Sequence, residues 1–240
     1  MRLLLWGCLI GSATGFSLEQ FAPKFFEWFS KSEAVAKVHA KHVKSETVSH
    51  MMKGTPLASA PASAKLDFAR GRGGEAVAEF MRMEQKHIGT WKVKKIVEAA
   101  GADFDADKAH SRLLQEIASQ PVVMFSFVDC PWCLLAKETL RSIEASPVEP
   151  LLPDGGLRVV ELEDLGRDGK ALRAAISLAT GRTSMPSIWI GGRCVGGHTD
   201  GDMPGGDAAL CLLSSPGLEE MVRSGSLSKE LERAAAGPPL

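Results

Sequence analysis

The chain has 240 residues, 45% hydrophobic and 24% charged, a globular balance that excludes a wholly disordered or collagen-like protein. Lys and Arg total 28 against 29 Asp and Glu, so the charge balance carries no footprint of nucleic-acid binding. No apolar run reaches the roughly 18 residues of a membrane-spanning helix, and five cysteines are too few for a disulfide-scaffolded mini-domain.

Residues 1–15 read as a signal-peptide-like leader. Arg2 supplies a positive charge, Leu3 to Ile10 an apolar run, and Ala13 and Gly15 the small residues of a cleavage site before Phe16. Residues 16–65 differ in composition: from Ser17 onwards they hold seven Lys against four Glu. Phe21, Phe25, Trp28, Phe29 and Val35 fall near helical spacing. A basic, Ser-containing amphipathic stretch behind a leader resembles the bipartite leaders of complex plastids; a short helix packed on the main domain is the other reading. The expectation is entry into the secretory pathway, with onward passage to a plastid. Thr55 to Ala64, rich in Pro, Ser and Ala, is expected to be a linker.

Residues 66–104 are expected to form a helical extension. Val77, Phe80, Met81, Ile88, Trp91, Ile96 and Val97 recur at threes, fours and sevens, with an interruption near Gly89. Gly71-Arg72-Gly73-Gly74 lacks the Lys-Ser/Thr ending of a phosphate loop and reads as a turn. His39 and His42 have no evident third ligand, so no metal site is expected.

Residues 105–240 have the texture of an α/β domain. Asp107 is expected to cap a helix running to about residue 119, and Pro121 ends it. The apolar run 122–127 suits a strand covered on both faces. A helix over 130–144, a strand over 157–162 and a helix over 170–179 follow. Two short strands, 187–190 and 193–195, flank Gly191-Gly192 as a hairpin. Residues 207–233 are expected to be largely helical, broken near Pro216-Gly217. This order implies a mixed four-stranded sheet flanked by helices on both faces.

Cys130-Pro131-Trp132-Cys133 lies between the buried strand and the helix. A cysteine at a helix N-terminus meets free backbone N–H groups that stabilise its thiolate, the form that attacks disulfides. The spacing lets Cys133 reach Cys130 and resolve a mixed disulfide, and Pro131 suits the first helical turn. Structural zinc would need further ligands, and Cys194 and Cys211 belong to no second Cys-x-x-Cys pair. Both are expected to be buried, apolar cysteines.

Over residues 105–240 the chain resembles the glutaredoxins of the thioredoxin-fold superfamily. Phe125-Ser126 before Cys130 and Ala136-Lys137 after Cys133 match the family's strand and first helix turn. Thr180-Gly181-Arg182-Thr183-Ser184-Met185-Pro186 resembles the family's Thr-Gly-x-x-Thr-Val-Pro stretch, and residues 191–200 its Gly-Gly-x-x-x-Gly-Gly-x-x-Asp segment. The resemblance implies catalysis by Cys130 and Cys133 and a thioredoxin-like fold. It implies a glutathione site made by Trp132, Arg182, Ser184, Met185, cis-Pro186, Gly197, His198, Thr199 and Asp200. The Met185 backbone would pair with the cysteinyl part of glutathione, and Thr199 and Asp200 with its γ-glutamyl end. An acid such as Asp200 suits an ammonium group, and Gly196 and Gly197 suit a close backbone approach. Expected partners are glutathione and disulfide-bonded or glutathionylated proteins, with no nucleic acid or membrane span, and the chain is expected to be monomeric.

Phe127 stands where the family usually carries Lys, a loss that Arg182 or Thr183 would cover in part. Trp132 replaces the more usual Tyr. Asp129 is expected to oppose the Cys130 thiolate. Two alternatives follow from these features: a [2Fe–2S] cluster scaffold, which Pro131 disfavours, and a thioredoxin-like reductase that ignores glutathione.

Overall fold

The computed structural model describes residues 57, 59–144, 155–201, 207–212 and 214–235. The leader and the basic stretch therefore lie outside the described residues. The elements, in chain order, are α1 (Ala62–Arg70), α2 (Arg72–Ala100), α3 (Ala106–Ile117), β1 (Val122–Ser126), α4 (Pro131–Glu144), β2 (Leu157–Glu161), α5 (Gly166–Thr180), β3 (Ser187–Ile190), β4 (Arg193–Gly196), α6 (Leu218–Ser224) and α7 (Ser226–Ala235).

The sheet runs β2-β1-β3-β4. β1 is parallel to β2 and antiparallel to β3, and β3 is antiparallel to β4. Neighbouring side chains on a strand point to opposite faces. Because every residue of β1 is fully buried, both faces of the sheet are covered, as the unbroken apolar run requires. Leu113 of α3, Leu140 of α4, Leu172 and Ile176 of α5 and Leu227 and Leu231 of α7 share one core with the strands. The β3–β4 turn places Gly191 and Gly192 at φ +54° and +75°, a pair of left-handed positions that explains why two glycines stand there. This is the expected fold: a thioredoxin-like α/β sheet with a helical extension in front of it.

Of four local expectations, three shift and one holds. Helix α1 begins at Ala62, inside the stretch expected to be linker. The cap of α3 is Asp105, whose carboxylate accepts from the Lys108 N–H at 2.9 Å, and Asp107 instead sits in the first turn. The interruption expected near Gly89 is present, because Ile88 leaves helical geometry (φ −131°, ψ 15°) and kinks α2 there. Among the described residues of 207–217 there is no regular helix; α6 starts only at Leu218, and the break within the helical region falls at Gly225.

The extension packs directly onto the α/β body. Helix α1 lies on α4 and α2 on α5, where Ile96 and Ala100 meet the fully buried Ala174. Among the described residues no helix is long and apolar enough to cross a membrane.

Candidate active site

Cys130 follows the β1 turn, its N–H donating to the Phe127 carbonyl at 3.3 Å while its own carbonyl accepts from Leu134 at 2.9 Å. The second bond makes it the residue that opens α4, with Pro131 in the first helical position, where a missing N–H costs nothing. The Cys130 thiol lies below its ordinary range. The Cys133 thiol donates to it, the backbone N–H groups of Cys133 and Trp132 point at it, and the Lys137 ammonium adds a favourable charge, together outweighing burial. Cys133 moves the other way, well above the ordinary range, because it is buried and its proton is shared toward Cys130. The two sulfurs therefore differ: Cys130 is the more readily ionised, and Cys133 keeps its proton.

This asymmetry predicts two alkylation profiles. As pH rises, the Cys130 thiolate fraction grows through a midpoint below 9.0, the usual thiol value, whereas Cys133 ionises only above it. Iodoacetamide labelling followed by peptide mapping should modify Cys130 first at neutral pH. Equal rates at both cysteines would contradict the arrangement.

Asp129, expected to oppose the Cys130 thiolate, carries a counter-charge of its own. Its carboxylate accepts from the Lys65 ammonium at 2.7 Å, and Lys65, on α1, is only 4% exposed. The lysine-to-Phe127 exchange leaves a buried ring over which the Arg173 guanidinium stacks, 5.2 Å from the centroid. Arg173 is brought down to about 10 by burial, so it still carries its charge at neutral pH. A cation thus stands beside position 127, supplied by α5.

The residues expected to bind glutathione lie in the segments around one end of the strands, where the end of β1, the start of β3 and the end of β4 meet. The Met185–Pro186 bond is cis, and the Cys130 thiol lies 3.8 Å from the Met185 carbonyl. Arg182 Nη2 donates to Asp200 Oδ2 at 2.8 Å and to Ser184 Oγ at 3.2 Å, and the Ser184 hydroxyl donates to the same carboxylate oxygen at 3.1 Å. Arg182 also donates to the Gly201 carbonyl. Gly197 donates to the Asp200 carbonyl at 2.7 Å, and any Cβ there would run into the Asp200 carboxylate and the Arg182 guanidinium. Trp132, His198 and Thr199 line a cleft of about 470 Å³ between α1–α2 and the α/β body.

The extension supplies contacts that the sequence reading missed. Gln85 of α2 accepts from the Thr183 N–H at 3.2 Å and from its hydroxyl at 2.6 Å, and donates to the Gly181 carbonyl at 2.7 Å. Arg82 donates to the Thr199 carbonyl at 3.5 Å, and Phe68 meets Trp132 edge to face at 6.2 Å. No spacing rule points to these residues, since each lies on a surface-patterned helix some 60 to 120 positions from its partner.

No family model matches the chain. It is, however, 31% identical over 94 residues to glutaredoxin-C2 of Arabidopsis thaliana, a match that covers 36% of this chain and 75% of that protein. The chain belongs to the glutaredoxin family. This glutaredoxin is also 34% identical over 84 residues to monothiol glutaredoxin-S12, chloroplastic, of Arabidopsis thaliana, covering 35% of its own length and 41% of the relative's. It thus spans less than half of that relative. The crystal structure of the holo form of glutaredoxin C1 from Populus tremula x tremuloides matches 55% of the chain and 93% of its own, at 29% identity and a TM-score of 0.41.

Proposed function

We propose that this glutaredoxin is a glutathione-dependent thiol–disulfide oxidoreductase acting on protein disulfides or protein–glutathione mixed disulfides. The observation that carries the reading is the Cys130 thiol at the start of α4, lowered by the Cys133 thiol and two backbone N–H groups beside the Met185 carbonyl. In the proposed reaction the Cys130 thiolate attacks one sulfur of the substrate disulfide. A new S–S bond forms, the old one breaks, and the departing thiolate takes a proton from solvent. For a glutathionylated substrate, Cys130 then carries the glutathionyl group. A second glutathione thiolate displaces it as oxidised glutathione and restores the Cys130 thiolate. For a protein disulfide, Cys133 attacks Cys130 and leaves an internal disulfide that two glutathiones reduce.

Arg182, Ser184, Met185, Pro186, Gly197, His198, Thr199 and Asp200 form the groove for glutathione in this reading, with Trp132 at its edge. A second reading, a reductase that does not use glutathione, has one observation in its favour: Gln85 occupies the Thr183 donors in the middle of that groove. The chain is further proposed to act as a monomer in a plastid. Its relative bears the description chloroplastic, and a fluorescent fusion of residues 1–65 that stays diffuse in the cytosol would refute the targeting.

The decisive experiment uses the full chain with Cys133→Ser, incubated with oxidised glutathione and weighed intact. An adduct of one glutathione that is lost on adding Cys130→Ser is the expected result. No adduct, with Cys130 still open to iodoacetamide, would overturn glutathione dependence and leave the second reading.

A further inference from the structure

Cys194 and Cys211 stand seventeen positions apart in the chain, and neither takes part in the chemistry at Cys130. The fold nonetheless sets them side by side. The Cys194 N–H donates to the Leu210 carbonyl at 2.7 Å and the Leu212 N–H donates to the Cys194 carbonyl at 2.9 Å, so the segment around Cys211 adds a short parallel bridge along β4. Adjacent strands lie about 4.8 Å apart, within the ~4.4–6.8 Å between Cα atoms that a disulfide spans. Both residues are free thiols and buried, at 3% and 7% exposure.

Their surroundings differ from plain apolar packing. The Cys211 thiol donates to the Cys194 sulfur, the Ser187 hydroxyl lies 3.9 Å from it, and the Arg182 guanidinium contributes positive charge. These groups bring Cys194 down to about 7 against the effect of burial, while Cys211 is held above its ordinary range. One sulfur is thus a ready nucleophile and the other keeps its proton, as in the pair at 130 and 133. The nearby residues Asp207, Ala208 and Ala209 are exposed, so the Cys211 end of the pair lies close to the surface.

We propose that Cys194 and Cys211 form a second redox centre, a disulfide closed by hydrogen peroxide and reopened by a dithiol reductant. The Cys194 thiolate attacks one peroxide oxygen. The O–O bond breaks, hydroxide leaves, and Cys194 becomes a sulfenic acid. The Cys211 thiol then attacks the Cys194 sulfur, forming the S–S bond; the sulfenic oxygen leaves as water with the Cys211 proton. In sum, two thiols and one peroxide give one disulfide and two waters, and a dithiol such as dithiothreitol returns both thiols as it is itself oxidised to its cyclic disulfide. The closed bond ties the ends of a loop that contains Gly197, His198, Thr199 and Asp200, so its state governs how tightly that segment is held.

The test uses the full chain with Cys130→Ser and Cys133→Ser, which makes it independent of the glutathione reading. After peroxide treatment and alkylation of remaining thiols, trypsin releases Cys194 and Cys211 in one peptide, because neither Lys nor Arg occurs between Arg193 and Arg223. The expected peptide is unalkylated and two hydrogens lighter than the reduced form, and dithiothreitol restores both alkylation sites. Closing the loop should raise the thermal midpoint by roughly 5–10 °C, and Cys211→Ser should abolish that dependence on peroxide. Two alkylated cysteines, at peroxide levels that join Cys130 to Cys133 in the unsubstituted chain, would overturn the proposal. So would Cys194 oxidised to a sulfinic acid beside an alkylated Cys211. The peptide readout needs no variant at Cys194 or Cys211.

Discussion

Cys130→Ser should lower the rate of glutathione-driven reduction of a glutathionylated peptide by roughly a thousandfold or more, the scale on which removing a nucleophile acts. A serine hydroxyl receives the same two backbone N–H groups but stays protonated at any pH the fold survives. The companion change is more informative. Cys133→Ala leaves the nucleophile in place and removes the largest influence holding its thiol down. The midpoint of Cys130 alkylation should therefore move up toward the ordinary thiol value of 9.0. The sign follows directly. At neutral pH a higher midpoint means less thiolate and slower labelling, and above the new midpoint the difference from the unsubstituted chain disappears. An unchanged profile would show that the helix start alone activates Cys130.

Asp200→Ala should be the most damaging single change outside the core. The Arg182 side chain is buried, and the Asp200 carboxylate is its only acidic partner among the described residues. Removing one member of a buried ion pair strands the other charge at a cost of about 3–5 kcal/mol. For a chain of this size that lowers the thermal midpoint by roughly 10 °C. Asp200→Asn keeps an acceptor for the Arg182 and Ser184 donors and should cost markedly less. If Asp200→Ala melted within a degree or two of the parent, Arg182 would have found another acceptor, and the charge-pairing account of the groove would fall. The same pair bears on binding, since a carboxylate already holding a guanidinium has less negative charge to offer an incoming ammonium.

What could be read from the residues alone was whatever depended on short-range pattern. β1 announced itself because a run of Val, Val, Met and Phe straight after a proline, followed closely by Phe127, has few other uses, and Gly191-Gly192 because only a primed turn needs two such residues. The dithiol and the stretch ending in Pro186 were legible for the same reason. Pairings between distant segments were not. Leu210, Cys211 and Leu212 have the look of helix, yet they add a bridge to β4. Nothing near Asp129 signals that Lys65 will reach it from 64 positions away. Asp105 and Asp107 are chemically equal candidates for one cap, and only the extended backbone at Asp105 (φ −101°, ψ 107°) decides between them.

Gln85 acts on Thr183 as a tethered rival to any ligand that needs the same donors. A group held by a short connection has an effective concentration on the order of millimolar. If the proposed groove uses those donors, its apparent affinity for glutathione would be its intrinsic affinity multiplied by the fraction of time Gln85 is withdrawn. Trimming the chain before α3 would remove that competition, but it would also uncover Ala174 and its neighbours where Ile96 and Ala100 now sit. A shortened domain would bind more readily and associate more readily with itself, so affinities measured on it would overstate those of the full chain.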